Sequence, residues 1–272
     1  MPASTARGLW YVYGIVSPDM PHRGLPNGVD DAAVAIEREG EVAALVSVLD
    51  AGAYEPDSIE TNSGSVEWLS PRALAHDRVL TWASDQGAVI PLPMFSLFSG
   101  ASAVRELLRE RAPQLVETLE RVRRGREYAL RVYRVDAELY AAVPSLSPRL
   151  AEMARTAAAA SPGQRYLLER KLEAEQRAEM RAVSQRLVDE IVGALSAHSV
   201  EAVRSPIPRA DDTAASGTMI LNGAFLVEAR ALPAFQQTLT TLVAEHQPHG
   251  LRFDFTGPWP PYHFVDGHSH AE

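Results

Sequence analysis

Apolar positions along this 272-residue chain change their spacing several times, and each change predicts an element. Leu9-Trp-Tyr-Val-Tyr-Gly-Ile-Val16 is rich in aromatic and β-branched residues, which predicts a central strand. The Pro- and Gly-rich stretch from Pro21 to Gly28 reads as a loop. Two strand-like runs, Ala32–Glu39 and Glu41–Leu49, flank Gly40 and predict a hairpin. Residues 50–65 carry Gly, Ser, Asp and Asn and read as an exposed, mobile connection. Ser70-Pro71 then offers a helix cap and a first-turn proline, with Leu74, Val79, Leu80 and Ala83 facing inward and Gly87 as the stop. Ala88–Leu92 is a short strand whose Pro91 suits an edge or a strand end. A helix over Ser102–Arg124 carries Leu107, Leu108, Leu115, Leu119 and Val122, and Pro113 is expected to kink or divide it.

From residue 127 the order is strand (Glu127–Val135), helices, strand (Ser199–Ile207), strand (Thr218–Glu228), helix (Pro233–His246), strand (Leu251–Thr256). That is the split order of a ferredoxin-like unit, whose crossovers cover one sheet face. Its longest helix runs from about Gln164 to Leu195, after helix-start signals at Ser147-Pro148 and Ser161-Pro162. Leu168, Leu172, Met180, Val183, Leu187, Ile191 and Leu195 line one side, and Glu173 and Arg177 make an i,i+4 pair on the other. Packed against Leu146, Leu150, Met153 and Ala157, it forms an antiparallel, coiled-coil-like helical pair. Gly257-Pro-Trp-Pro-Pro-Tyr262 reads as a rigid aromatic turn and 266–272 as a flexible tail. The expected fold class is α+β in two domains: 1–125, a modified ferredoxin-like unit, and 126–265, a ferredoxin-like unit containing the long helix 164–195.

Composition narrows the partners. Thirty-five acidic residues oppose 26 basic ones for a formal charge of −9, which argues against nucleic acid, where Lys and Arg must neutralise phosphates. The basic cluster Arg121, Arg123, Arg124 and Arg126 sits where a helix ends and complements its dipole. There is no cysteine, which excludes disulfides and thiolate chemistry and fits a reducing cytoplasm. No run approaches 18 apolar residues, and MPASTARGLW lacks a signal-peptide pattern, so no membrane span is expected.

Candidate chemistry is sparse. Neither Gly-rich phosphate loop occurs, nor a Gly-x-Ser-x-Gly elbow. His263, His268 and His270 lie close enough in sequence to ligate a metal, but the last two sit in a polar tail with nothing to build a second shell. His76 and Asp77 are adjacent on a helix and cannot face one another, so His76 is expected to make a structural hydrogen bond to a neighbouring element. Asp30-Asp31 reads as turn chemistry.

Six blocks, in order, resemble the gas vesicle protein F/L family. They are the opening strand Leu9–Val16, Ala43-Ala-Leu-Val-Ser47, His76-Asp-Arg-Val-Leu80, Val89-Ile-Pro-Leu-Pro-Met-Phe95, Tyr166-Leu-Leu-Glu-Arg-Lys171 and Asn222-Gly-Ala-Phe-Leu-Val227. The ending Gly257-Pro-Trp-Pro-Pro-Tyr-His-Phe-Val265 is the most specific match. Phe95 and Ser96 depart from the pattern, standing where the family often has an Arg-Phe pair and a Gly.

The resemblance implies an accessory protein of gas vesicle assembly, located at the gas vesicle in the cytoplasm, that binds the hydrophobic shell protein and other accessory proteins. Preventing aggregation of the shell protein or helping its nucleation is the implied task. It implies no catalytic residue, and the residues themselves lead to no expected cofactor or metal. Candidate partner-binding surface is the long helix and the aromatic ending at Trp259, Tyr262 and Phe264, whose prolines limit the entropy lost on docking. The same residues could instead clamp the last strand onto the core. The alternatives are a permanent wall component, or a small-ligand-binding or enzymatic ferredoxin-like protein, since that fold hosts many functions.

Overall fold

The computed structural model describes residues 8–208 and 217–265. The described residues divide into two compact units: one comprises 8–126 together with 258–265, the other Glu127–Gly257. Residues 258–265, grouped with the second domain from sequence, thus belong to the first.

The first unit is built on β1 (Gly8–Val16), β2 (Ala35–Glu39), β3 (Val42–Asp50), β4 (Val89–Pro91) and β5 (Leu97–Phe98). The sheet order is β2-β3-β1-β4, with β5 also pairing β1, so β1 is central. The hairpin turns at Gly40, whose φ of +60° suits a residue without Cβ. Between Val12 and Gly14 the register with β3 slips by one residue. Tyr11, Tyr13 and Val16 therefore enter one apolar cluster while Val12 and Ile15 enter the other, the face change that a bulge imposes on a strand. One cluster is closed by α2 (Val66–Gln86) through Ala75, Val79, Leu80 and Ala83. The other is closed by α3 (Ala101–Val122) through Val104, Leu108 and Leu119. Helices on both faces explain why β1 is apolar throughout rather than alternating.

Several local expectations change here. The supposed mobile connection contains α1 (Pro56–Asn62), and just before it Tyr54 is only 2% exposed. A buried aromatic ring anchors a stretch whose small polar residues look like linker. Helix α2 starts at Val66 rather than Ser70, with Ser65 Oγ accepting from the Trp68 N–H, so Pro71 lies inside the helix. Leu74 is exposed, because the buried stripe passes through Ala75 and His76, one residue further round the helix. Helix α3 runs unbroken through Pro113, which sits on its exposed side, where water can satisfy the carbonyl that proline orphans.

The second unit holds β6 (Arg126–Arg134), β7 (Glu201–Arg204), β8 (Thr218–Val227) and β9 (Leu251–Trp259) in the order β7-β8-β6-β9. Its helices are α4 (Asp136–Leu146), α5 (Pro148–Ala159), α6 (Pro162–Ser196) and α7 (Leu232–His246). Strand order and connections match the expected ferredoxin-like arrangement. A single cluster joins Leu130 and Val132 of β6, Phe225 of β8, Leu150 of α5, Val183, Leu187 and Ile191 of α6 and Phe235 of α7. Helices α5 and α6 pack as the expected pair, with Ser147 Oγ accepting from the Leu150 N–H at the start of α5. On α6, Glu173 lies 3.7 Å from Arg170. Strand β9 extends to Trp259, so the first residues of the proline-tryptophan ending are strand, not turn.

Candidate functional site

Three places gather the residues singled out above: a buried network in the first unit, the aromatic ending, and the leading end of α6.

The network starts on β1. Tyr11 Oη lies 2.8 Å from His76 Nδ1 and accepts from the Phe95 N–H at 3.2 Å. Tyr13 Oη donates to Ser47 Oγ at 2.9 Å and accepts from the Val29 N–H, while Ser47 Oγ donates to the Ala33 carbonyl. Gly28 makes this approach possible, since a Cβ there would stand 1.9 Å from the Tyr13 hydroxyl. Burial lowers the His76 pKa to about 4, against which a hydrogen bond to the Leu92 backbone acts. Burial likewise raises Tyr11 and Tyr13, so the ring stays neutral and both phenols stay protonated near pH 7.

Next to it, Arg72 is held on four sides. It pairs with Asp30 Oδ1 at 2.8 Å, donates to Tyr54 Oη and to the Trp68 carbonyl, and stands 4.3 Å over the Trp68 ring. Trp68 stacks on Phe95 with centroids 5.4 Å apart. Asp30 and Phe95 both adopt positive φ, 51° and 66°. Such a Phe is uncommon, and it is fixed here by its N–H bond to Tyr11 and its ring contacts. His76 is 6% exposed, so this network braces α2 against β1 and the 92–96 turn, as its structural role predicts. Asp30 is more than turn chemistry: it is the counter-charge of Arg72.

The aromatic ending divides. Phe264 is 1% exposed, its carbonyl accepts from Arg121 Nη2 at 2.8 Å, and Val265 packs on the α3 side of the sheet. Trp259 and Tyr262 are 40% and 38% exposed, with Tyr262 Oη 3.2 Å from Asp77 Oδ1. Trp259 and Pro261 line a depression of about 290 Å³ with Ser84, Asp85, Arg123 and Arg126, a largely polar setting. Three of the four basic-cluster residues pair within the unit: Arg121 with Phe264, Arg123 with Glu120, and Arg126 with Ser84 and Asp85. His263 is exposed, and His268 and His270 lie outside the described residues.

The leading end of α6 differs in character. Residues 161–171 are exposed apart from Leu168, and Tyr166 and Leu167 are 62% and 68% exposed. Beside them, α5 and α6 form an open groove of about 770 Å³, lined by the apolar Ala159, Ala160, Leu167 and Leu168 and by Glu152, Arg155, Thr156 and Gln164.

The family described as gas vesicle synthesis protein GvpL/GvpF matches residues 9–266. The chain belongs to that family. Gas vesicle protein L of Streptomyces sp. (strain CB03234) is 28% identical over 271 residues, covering 94% of this chain and 92% of the relative. Gas vesicle protein F of the same strain is 29% identical over 260 residues, covering 94% and 99%. The crystal structure of the gas vesicle protein GvpF from Anabaena sp. PCC7120 has the same fold, with TM-score 0.68 at 18% identity over 97% of this chain and 99% of that one. That of GvpF from Microcystis aeruginosa gives 0.66 at 21% over 96% and 99%.

For this gas vesicle family member the two halves of the suspected surface therefore separate. Phe264 is core, while Trp259 and Tyr262 remain half-exposed. The sequence marks the whole long helix as candidate surface without separating Tyr166 and Leu167, which fall off the Leu168–Leu172 stripe of its packed side. Their signal was that mismatch: two large apolar residues on the charged side of a long helix.

Proposed function

We propose that this protein serves gas vesicle assembly by holding an apolar helical segment of the vesicle shell protein against the α5–α6 groove, which keeps that segment from aggregating before it joins the wall. The observation that carries this is the pair Tyr166 and Leu167, large apolar residues exposed beside a groove where most neighbouring α6 positions are charged or polar. Isolated exposed apolar residues are ordinary, but Leu167 lines the groove with Tyr166 next to it in sequence, which offers a helix-in-groove contact. Burying Leu167 alone would contribute about 2 kcal/mol. Glu152 and Arg155 line the same groove but pair with one another, so the contact rests on its apolar residues. Family membership supports the vesicle as the place of action, and among the described residues no helix is long and apolar enough to cross a membrane.

The test is co-purification with the shell protein. Leu167→Arg should abolish capture while leaving the melting temperature unchanged, and Trp259→Ala should retain capture. Undiminished capture by Leu167→Arg, or loss only with Trp259→Ala, would reject the groove. No capture by the folded wild type would reject direct binding.

A further inference from the structure

The second unit contains a group of donors that neither the family nor the groove accounts for. His246, the last residue of α7, is 3% exposed, and among the described residues neither of its ring nitrogens has a hydrogen-bond partner. A buried imidazole left without partners loses its hydration and gains nothing in return, so such an arrangement calls for an occupant. Glu190 Oε1 from α6 stands 3.6 Å from His246 Nε2, and donor atoms of Glu190, Glu245 and His246 all lie within 4.8 Å of one another.

We propose that Glu190, Glu245 and His246 bind a divalent transition ion of the zinc class, tying the end of α7 to α6. Imidazole with carboxylates is a donor set for such ions, whereas calcium and magnesium take oxygen only. Bonds of about 2.0–2.1 Å around a tetrahedral ion put neighbouring ligand atoms about 3.3–3.4 Å apart. The His246–Glu190 separation is already close to that edge. Both glutamates are exposed, so their side chains can rotate to shorten the remaining separations, while water completes the coordination. A cation here also lies at the C-terminal end of α7, the negative end of its dipole.

Calorimetric titration of the full chain with zinc chloride tests this, run beside a variant with His263, His268 and His270 replaced by alanine. Both proteins should bind one equivalent at this site, and zinc should raise the melting temperature of both. Glu190→Gln, an exposed position that leaves folding intact, should weaken binding at least tenfold, as should Glu245→Gln. Two outcomes would overturn the site: loss of the tight equivalent once the C-terminal histidines are removed, or unchanged affinity in Glu190→Gln.

Discussion

The Tyr11 hydroxyl on β1 and His76 Nδ1 on α2 lie 2.8 Å apart across 65 residues of sequence, and the same hydroxyl receives the Phe95 N–H. One oxygen thereby joins the central strand, the helix over it and the turn that follows β4. Tyr11→Phe keeps the ring and its packing but leaves a buried nitrogen and a buried N–H unpaired. The expected loss is about 1–3 kcal/mol in urea unfolding. A change below a few tenths would show that the hydroxyl holds nothing together.

His76 makes stability depend on pH. Its folded pKa, about 4, is below the 6.5 of the free side chain, so between these values the unfolded chain binds a proton that the folded one refuses. Its contribution is complete above about pH 6.5 and is lost as pH falls toward 4, to a total of about 3 kcal/mol. Between pH 8 and pH 5 the wild type should lose about 2 kcal/mol more than His76→Gln, which cannot titrate. Parallel pH profiles for the two proteins would contradict the assignment.

The aromatic ending should behave as two different things. Phe264→Ala removes a ring from the core of the first unit and is expected to cost about 3–5 kcal/mol. Tyr262→Phe removes one exposed hydroxyl near Asp77 and should cost less than about 1 kcal/mol. Equal effects in thermal melts would mean that the buried and exposed residues have been misassigned.

Gly250 turns the chain into β9 with φ +87°, and a Cβ there would stand 2.6 Å from Glu138 Cβ and 2.8 Å from the Leu139 nitrogen. Gly250→Ala combines unfavourable dihedrals with a backbone collision and should destabilise the second unit by about 2–3 kcal/mol. Unchanged hydrogen exchange in β6 and β9 would refute this.

Much of the fold was legible because most elements obey a single periodicity. Strand β1, the Gly40 hairpin, the Ser-Pro starts of α5 and α6 and the stop at Gly87 all lie within a few residues of expectation. The errors have two causes: one competing local cap, and tertiary contacts that outweighed a local signal. Ser65 begins α2 ahead of the better-looking Ser70-Pro71, and Tyr54 orders a stretch composed like linker. Strand pairing carries β9 through Gly257 and Pro258. The candidate surface was half legible. Sequence marks Trp259, Tyr262 and Phe264 as unusual, but which of the three rings is buried depends on Arg121 and the sheet beneath them, which lie more than a hundred residues away. The Glu190 carboxylate was invisible for the same reason, since only the packing of α6 on α7 brings it to Glu245 and His246.

The ending that carries Phe264 has one more implication, for how the protein is made. Those residues leave the ribosome only after every residue of the inserted unit, so the hydrophobic site awaiting Phe264 stays open throughout translation of 127–257. The part of the chain synthesised first is the part completed last.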